Sequence, residues 1–203
     1  MQNQQPSTLK EIRVHGTQDF PCAFYQTGTR IKGNMVKHHW HEEVELLYFS
    51  GGEFCLEVNM ERFNISEECF YVINPGELHS ISVEKNGGCV ENAVVFHMDM
   101  LSSAYALDQI QTNLIQPVQN GSIQFPRCLR KNEPAFEPVR KSYEEIRNVF
   151  GGDSFRENYY DGEAVTDDIT RQLFIKSALL RILAVLSANN LFEVTEKNHD
   201  HRI

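Results

Sequence analysis

The sequence predicts a mainly β domain, a closed arrangement of short strands, followed by two α-helices. Three observations carry this. From about Val14 to Met98, short strand-like runs are separated by turn residues at the intervals of all-β barrels and sandwiches. Beyond Asp99 the apolar spacing changes to a helical period in two segments. Inside the β region, His39, His41, Glu45 and His79 place ionisable groups in an otherwise apolar setting. The 203 residues suffice for one well-cored domain with a helical appendix.

Residues 1–12 are polar and aperiodic and are expected to form a flexible arm. The barrel domain is expected over 13–133. Phe24, Tyr25, Phe54 and Tyr71 are its wall candidates, and Phe24 and Tyr25 are assigned to the pocket. Glu53 to Val58 runs through Asn59-Met60-Glu61 into Arg62 to Ile65, which reads as paired strands. Cys69 to Ile73 stops at Asn74-Pro75-Gly76, and His79 to Val83 stops at Lys85-Asn86-Gly87-Gly88. Val90 to His97 is the last long strand. Residues 100–133 are read as a short helix and a connection containing Pro117, Gly121 and Pro126.

Residues 134–190 are expected to form a helical dimerisation segment. Pro138 opens an amphipathic helix with Val139, Tyr143, Ile146 and Val149/Phe150 on one face, ended by Gly151-Gly152. Glu137 and Lys141 are spaced to pair on its surface. Thr166-Asp167-Asp168 suits the start of a second helix, which runs to about Ala188 through Ile169, Leu173, Leu180, Leu183 and Leu186. Its apolar surface extends around most of its circumference, so it needs cover on more than one side. One face is expected on the barrel or the preceding helix and another on a second subunit. Val139, Tyr143, Ile146, Leu180, Leu183 and Leu186 are the expected homodimer contacts. Residues 191–203 read as an interdomain linker.

With a net charge of −9 and no basic cluster, the chain is not expected to grip nucleic acid unaided. No apolar run approaches the ~20 residues of a membrane span, and the N-terminus lacks a signal-peptide core, so a cytoplasmic location is expected. The five cysteines are widely spaced without a CxxC pair and read as reduced, mostly buried thiols.

His39 and His41 are two apart, so on a strand they emerge on the same face, with His38 turned away. Glu45 can join them along the strand or across a turn at Glu42-Glu43, and His79 closes the Pro75-Gly76 turn. Three imidazoles and a carboxylate suit a divalent transition metal: Zn, Ni, Mn or Fe. The same side chains could instead floor an effector pocket, or end strands at a barrel rim. His15, His97, His199 and His201 stand without local partners. There is no Ser/His/Asp order, phosphate loop or dinucleotide fingerprint, so any catalysis would have to run through the metal.

The order Gly33-x5-His39-x-His41-x3-Glu45-x6-Gly52, then Pro75-Gly76-x2-His79, resembles the two signature motifs of the cupin superfamily. The first matches at every specified position. In the second, Cys69 replaces a glycine, Val83 replaces an asparagine, and no residue separates Pro75 from Gly76. More narrowly, His39 to Tyr48, Ile73 to Ser80 and Val94 to Leu101 resemble the sensor domain of AraC-type transcriptional regulators, and the two final helices continue that resemblance. It implies a cupin (double-stranded β-helix, jelly-roll) barrel followed by two C-terminal helices. It further implies a small-molecule effector site, an arm able to close over it, a homodimer, and DNA binding by a following helix-turn-helix domain. After Ala188 only fifteen residues remain, too few for such a reader, so a chain cut in its linker is expected. The alternative is a stand-alone metal-dependent cupin enzyme, a dioxygenase or isomerase.

Overall fold

The computed structural model describes residues 7–86, 89–105, 107–151 and 162–195. Residues 1–6 of the expected arm, Gly87-Gly88, Gly152 and residues 196–203 of the expected linker lie outside the described residues.

The barrel is built from β1 (Cys22–Thr29), β2 (Gly33–His39), β3 (Val44–Phe49), β4 (Phe54–Val58), β5 (Glu61–Ile65), β6 (Cys69–Ile73), β7 (His79–Val83) and β8 (Cys89–Phe96). Downstream lie a π-helical turn (Gln111–Ile115) continuing into α1 (Gln116–Gln119), then β9 (Ile123–Gln124), β10 (Cys128–Arg130) and α2 (Phe136–Phe150). β11 (Gly162–Ala164), α3 (Ile169–Ala188) and β12 (Glu193–Val194) complete the described chain. All named strand pairings are antiparallel. One sheet runs β10-β6-β3-β8-β1-β11 and a second runs β2-β7-β4-β5. This is the mainly β, cupin-type barrel with two C-terminal helices that the sequence predicts.

Two cores explain the strand patterns. Leu47, Phe49, Tyr71, Ile73, Ala93 and Val95 from the six-stranded sheet meet Phe54, Leu56, Val58, Ile81 and Val83 from the four-stranded sheet inside the barrel. On the outer face of the six-stranded sheet, Phe24, Leu46, Tyr48, Phe70, Val94 and Phe96 pack under α2 and α3. That sheet is covered on both faces, so β6 reads as a continuous apolar run, as does β3 after Glu45. The four-stranded sheet is covered on one face only, and β4 and β7 alternate buried and partly exposed residues.

The helical segment differs from expectation in three respects. Val139, Tyr143, Ile146, Leu183 and Leu186 are buried in the chain's own core, so of the six expected dimer contacts only Leu180 is exposed. The apolar surplus of α3 is mostly consumed by α2 and the outer sheet face. Glu137 pairs with Arg140 rather than Lys141. Glu193–Val194, read as linker, pairs with β9, and Thr195 Oγ1 donates to the Gly121 carbonyl at 2.6 Å. The start of α3 is as expected: the Asp168 side chain caps it, accepting from Arg171 N at 2.8 Å.

Candidate functional site

Both sheets contribute to one end of the barrel interior. His39 ends β2 and His79 begins β7, and the two are direct register partners. The chain leaves β2 at Trp40, turns at Glu42-Glu43 and re-enters the other sheet at Val44. Glu45 therefore reaches the cluster across a turn. Strand alternation points it inward with Leu47 and Phe49 rather than outward with Leu46 and Tyr48. His41 lies in the connection, and its carbonyl accepts from Gly76 N at 2.7 Å, tying the connection to the Pro75-Gly76 turn.

The donor atoms of His39, His41, Glu45 and His79 lie within 4.8 Å of one another. Glu45 Oε2 is 2.9 Å from His79 Nε2 and 3.4 Å from His41 Nε2. His39 Nδ1 lies 2.8 Å from the Lys37 carbonyl and His79 Nδ1 lies 2.9 Å from the Glu77 carbonyl, each two residues back along the chain. A carbonyl only accepts, so both rings carry a proton on Nδ1 and direct Nε2 into the cluster. Histidines that ligate metals are oriented by the same outer hydrogen bond. Among the described residues, His79 Nε2 and His41 Nδ1 are buried and make no hydrogen bond, although Glu45 Oε2 lies 2.9 Å from the first and Glu43 Oε2 3.5 Å from the second. A donor set aimed at a common point, with its outer nitrogens already held, fits a divalent transition metal.

Burial works to push the Glu45 carboxyl up, but the contacts from His41 and His79 outweigh it and hold it well below the usual carboxylate range. For His79, burial disfavours the charged ring, yet Glu45 beside it raises the pKa. His39 is lowered by burial and by the neighbouring His79.

The expectation that His15 is a lone histidine is corrected. His15 packs against His41 at 5.1 Å between ring centroids, and its Nδ1 lies 2.8 Å from Tyr25 Oη. Glu11 Oε2 sits 3.4 Å from His15 Nε2 and 3.4 Å from His39 Nε2. Glu11, His15 and His41 thus form a second group of converging donors that shares His41 with the first. Burial opposes ionisation of Glu11, but the His15 contact and the surrounding imidazoles lower its pKa. The described part of the arm is seated on the barrel: Lys10 bridges Trp40, Trp40 N donates to the Leu9 carbonyl at 3.0 Å, and Glu11 N donates to the Trp40 carbonyl at 2.9 Å. The one cue in the sequence was Glu11-x3-His15, the spacing of His41-x3-Glu45 in reverse order.

Above the cluster lies a cavity of ≈ 780 Å³ lined by His39, His41, Glu45, Glu11, Tyr25 and Arg13, among others. The volume is that of a small-molecule site. Tyr25 lines it as expected. Phe24 does not: as its neighbour on β1 it faces the other way, packing on Tyr143 and Phe150 beneath α2. His38 points away from the cluster, bonding Glu57 at 3.0 Å. His97 closes β8, where its Nδ1 accepts from Asp99 N at 3.2 Å.

The turn that presents His79 has its own support. Glu77 is buried, receives Asn74 N at 2.7 Å, and is gripped through both oxygens by Arg127, whose Nη1 also donates to the Val72 carbonyl at 2.6 Å. Asn74 Oδ1 in turn accepts from Phe125 N at 2.8 Å.

Residues 26–149, more than half of the 203, match the model of the AraC-like ligand binding domain. The chain belongs to that family. It is 28% identical over 114 residues to the uncharacterized HTH-type transcriptional regulator YdeC of Bacillus subtilis strain 168, a match covering 52% of this chain and 39% of YdeC. The matched stretch is therefore well under half of the relative's length. Among solved structures, a predicted oxalate decarboxylase of Thermotoga maritima is 24% identical, covering 36% of this chain and 64% of that one, with a TM-score of 0.34. A cupin protein of Bacteroides fragilis is 14% identical, covering 43% and 75%, with a TM-score of 0.36. Both structural likenesses are too slight to bear on function.

Proposed function

We propose that this AraC-like domain is the effector-sensing and dimerising module of a transcriptional regulator, whose DNA contacts are made by a helix-turn-helix domain outside this sequence. The observation that carries the reading is the ≈ 780 Å³ cavity, with Thr8 to Glu11 at its rim and the histidine–glutamate cluster in its wall. A polar effector entering it would meet Glu11, Arg13 and Tyr25, and so would bias the position of the N-terminal segment. Its leverage on DNA binding would be its difference in affinity between two arrangements of that segment.

His39, His41, Glu45 and His79 would hold a divalent metal, which would act as a Lewis acid toward an oxygen-bearing ligand. The residues of this chain supply the rest: Glu45 provides the negative charge, the Lys37 and Glu77 carbonyls fix two rings, and the rim residues select what enters. Protein purified without a histidine tag should carry about one equivalent of Zn, Ni, Mn or Fe by elemental analysis, lost in His79→Ala. Metal content unchanged in that variant would exclude this ligand set.

A thermal-shift panel of monosaccharides and hydroxy acids tests the cavity. A ligand at a hundred times its Kd adds about 2.7 kcal/mol, a rise of roughly 5–10 °C for a chain of this size. Thr27 lines the cavity, so Thr27→Trp should abolish the rise. A rise that survives this variant, or none across the panel, removes the effector reading.

For the homodimer, Ile169, Leu173 and Leu180 form one exposed apolar stripe on α3, turned away from its buried face. Sedimentation should show the wild type dimeric and Leu180→Arg monomeric with an unchanged melting temperature. The rival reading, a metal-dependent cupin enzyme, draws on the same donors opening into a large cavity. Turnover of a cavity ligand by the metal-loaded protein would favour it over the sensor.

A further inference from the structure

At the end of the barrel opposite the histidines, two cysteines converge. Cys69 begins β6 and Cys128 begins β10, the edge strand of the six-stranded sheet. In their register Cys128 faces Tyr71 and Cys69 faces Arg130, so the two cysteines are diagonal neighbours. Their side chains share one face. Both pack on the barrel-interior core, line the same ≈ 190 Å³ surface cavity, and each thiol perturbs the ionisation of the other. Ile73, at the other end of β6, pairs with Glu45. Four residues of strand, about 13 Å, therefore separate the dithiol from the candidate metal cluster.

We propose that Cys69 and Cys128 form an oxidisable dithiol, a modification site at which a peroxide closes an internal disulfide. The surroundings assign the roles. Cys128 is partly exposed, and its thiol is drawn down to about 7 by the neighbouring Cys69 thiol, against the effect of burial, with Tyr71 and Arg130 adding to the pull. Cys69 is 6% exposed, and its thiol is raised by the neighbouring Cys128 and by burial. Cys128 is thus the thiolate that attacks and Cys69 the thiol that resolves. The Cys128 thiolate attacks one peroxide oxygen and the O–O bond breaks. The departing oxygen takes a proton and leaves as water, and Cys128 becomes a sulfenic acid. Cys69 sulfur then attacks Cys128 sulfur, the S–O bond breaks, and hydroxide leaves with the Cys69 proton as a second water. Two electrons pass from the sulfurs to the peroxide. Because β10 is a three-residue edge strand, it can shift to meet disulfide geometry at lower cost than a strand paired on both sides.

The test is stoichiometric hydrogen peroxide on the full chain, read by thiol titration and peptide mass mapping. Two of the five thiols should be lost, in a Cys69–Cys128 linkage that dithiothreitol reverses. In Cys69→Ser, dimedone should label Cys128. In Cys128→Ser, neither the label nor the linkage should form. The wild-type mapping stands even if a variant fails to fold. Wild-type protein that keeps all its thiols, or that links other cysteines instead, overturns the proposal, as does a folded Cys69→Ser protein whose Cys128 escapes dimedone.

Discussion

Arg127→Met is the most informative single perturbation of the site's support. Arg127 holds both oxygens of Glu77 and the Val72 carbonyl, while its aliphatic stem packs much as methionine would. Removing the guanidinium leaves Glu77 with the Asn74 amide at 2.7 Å and a weak Asn59 contact at 3.4 Å. Breaking a fully buried pair costs about 3–5 kcal/mol. The Glu77 side chain is 9% exposed but that of Arg127 is 26%, so water already reaches one partner. The expected cost falls to about 2–3 kcal/mol, or roughly 4–12 °C in Tm. Urea titration should show the lower midpoint with an unchanged slope. Adding Glu77→Gln removes the stranded charge while keeping an acceptor for Asn74 N, and should recover about 1 kcal/mol or more. A single-variant cost below about 0.5 kcal/mol, or a double variant no better than the single, would refute the assignment of this pair as the turn's anchor.

Two further perturbations probe the backbone and the core. Gly76→Ala meets open space but a φ of +81°, so its cost of about 1–2 kcal/mol should be entirely conformational, read as a fall in urea midpoint. Tyr143 is fully buried and its hydroxyl has no hydrogen-bond partner among the described residues, so Tyr143→Phe should be neutral or stabilising by about 1 kcal/mol; a loss of that size in calorimetry would contradict it.

The barrel was legible in the sequence because its strands carry their environment in their spacing. β4 and β7 alternate because one sheet face meets water, and β3 and β6 do not because both faces are covered. The convergence of His39, His41, Glu45 and His79 was legible for a related reason. Two-residue spacing and a Pro-Gly turn are local facts that survive folding with little change. Phe24 and Tyr25 show the limit of that locality. Adjacent strand residues cannot both face one cavity, and the choice between them depended on where α2 lands, more than a hundred residues later in the chain. The dimer contacts failed in the same way: a helix apolar on most sides does not declare which side its own chain will cover.

Glu11 and His15 were the least legible, and they change the character of the site most. In sequence Glu11 is marked only by its four-residue spacing to His15, while its partners His39 and His41 come from β2 and the following turn. Once Lys10 bridges Trp40, however, the Glu11 carboxylate is fixed among the imidazoles of His15, His39 and His41. His41 belongs to both donor groups, so whatever charge or ligand the barrel cluster holds is felt by the N-terminal segment through a shared ring. In the proposed sensor, direct contact of this kind would make the segment's position depend on the site's occupancy without any long-range relay.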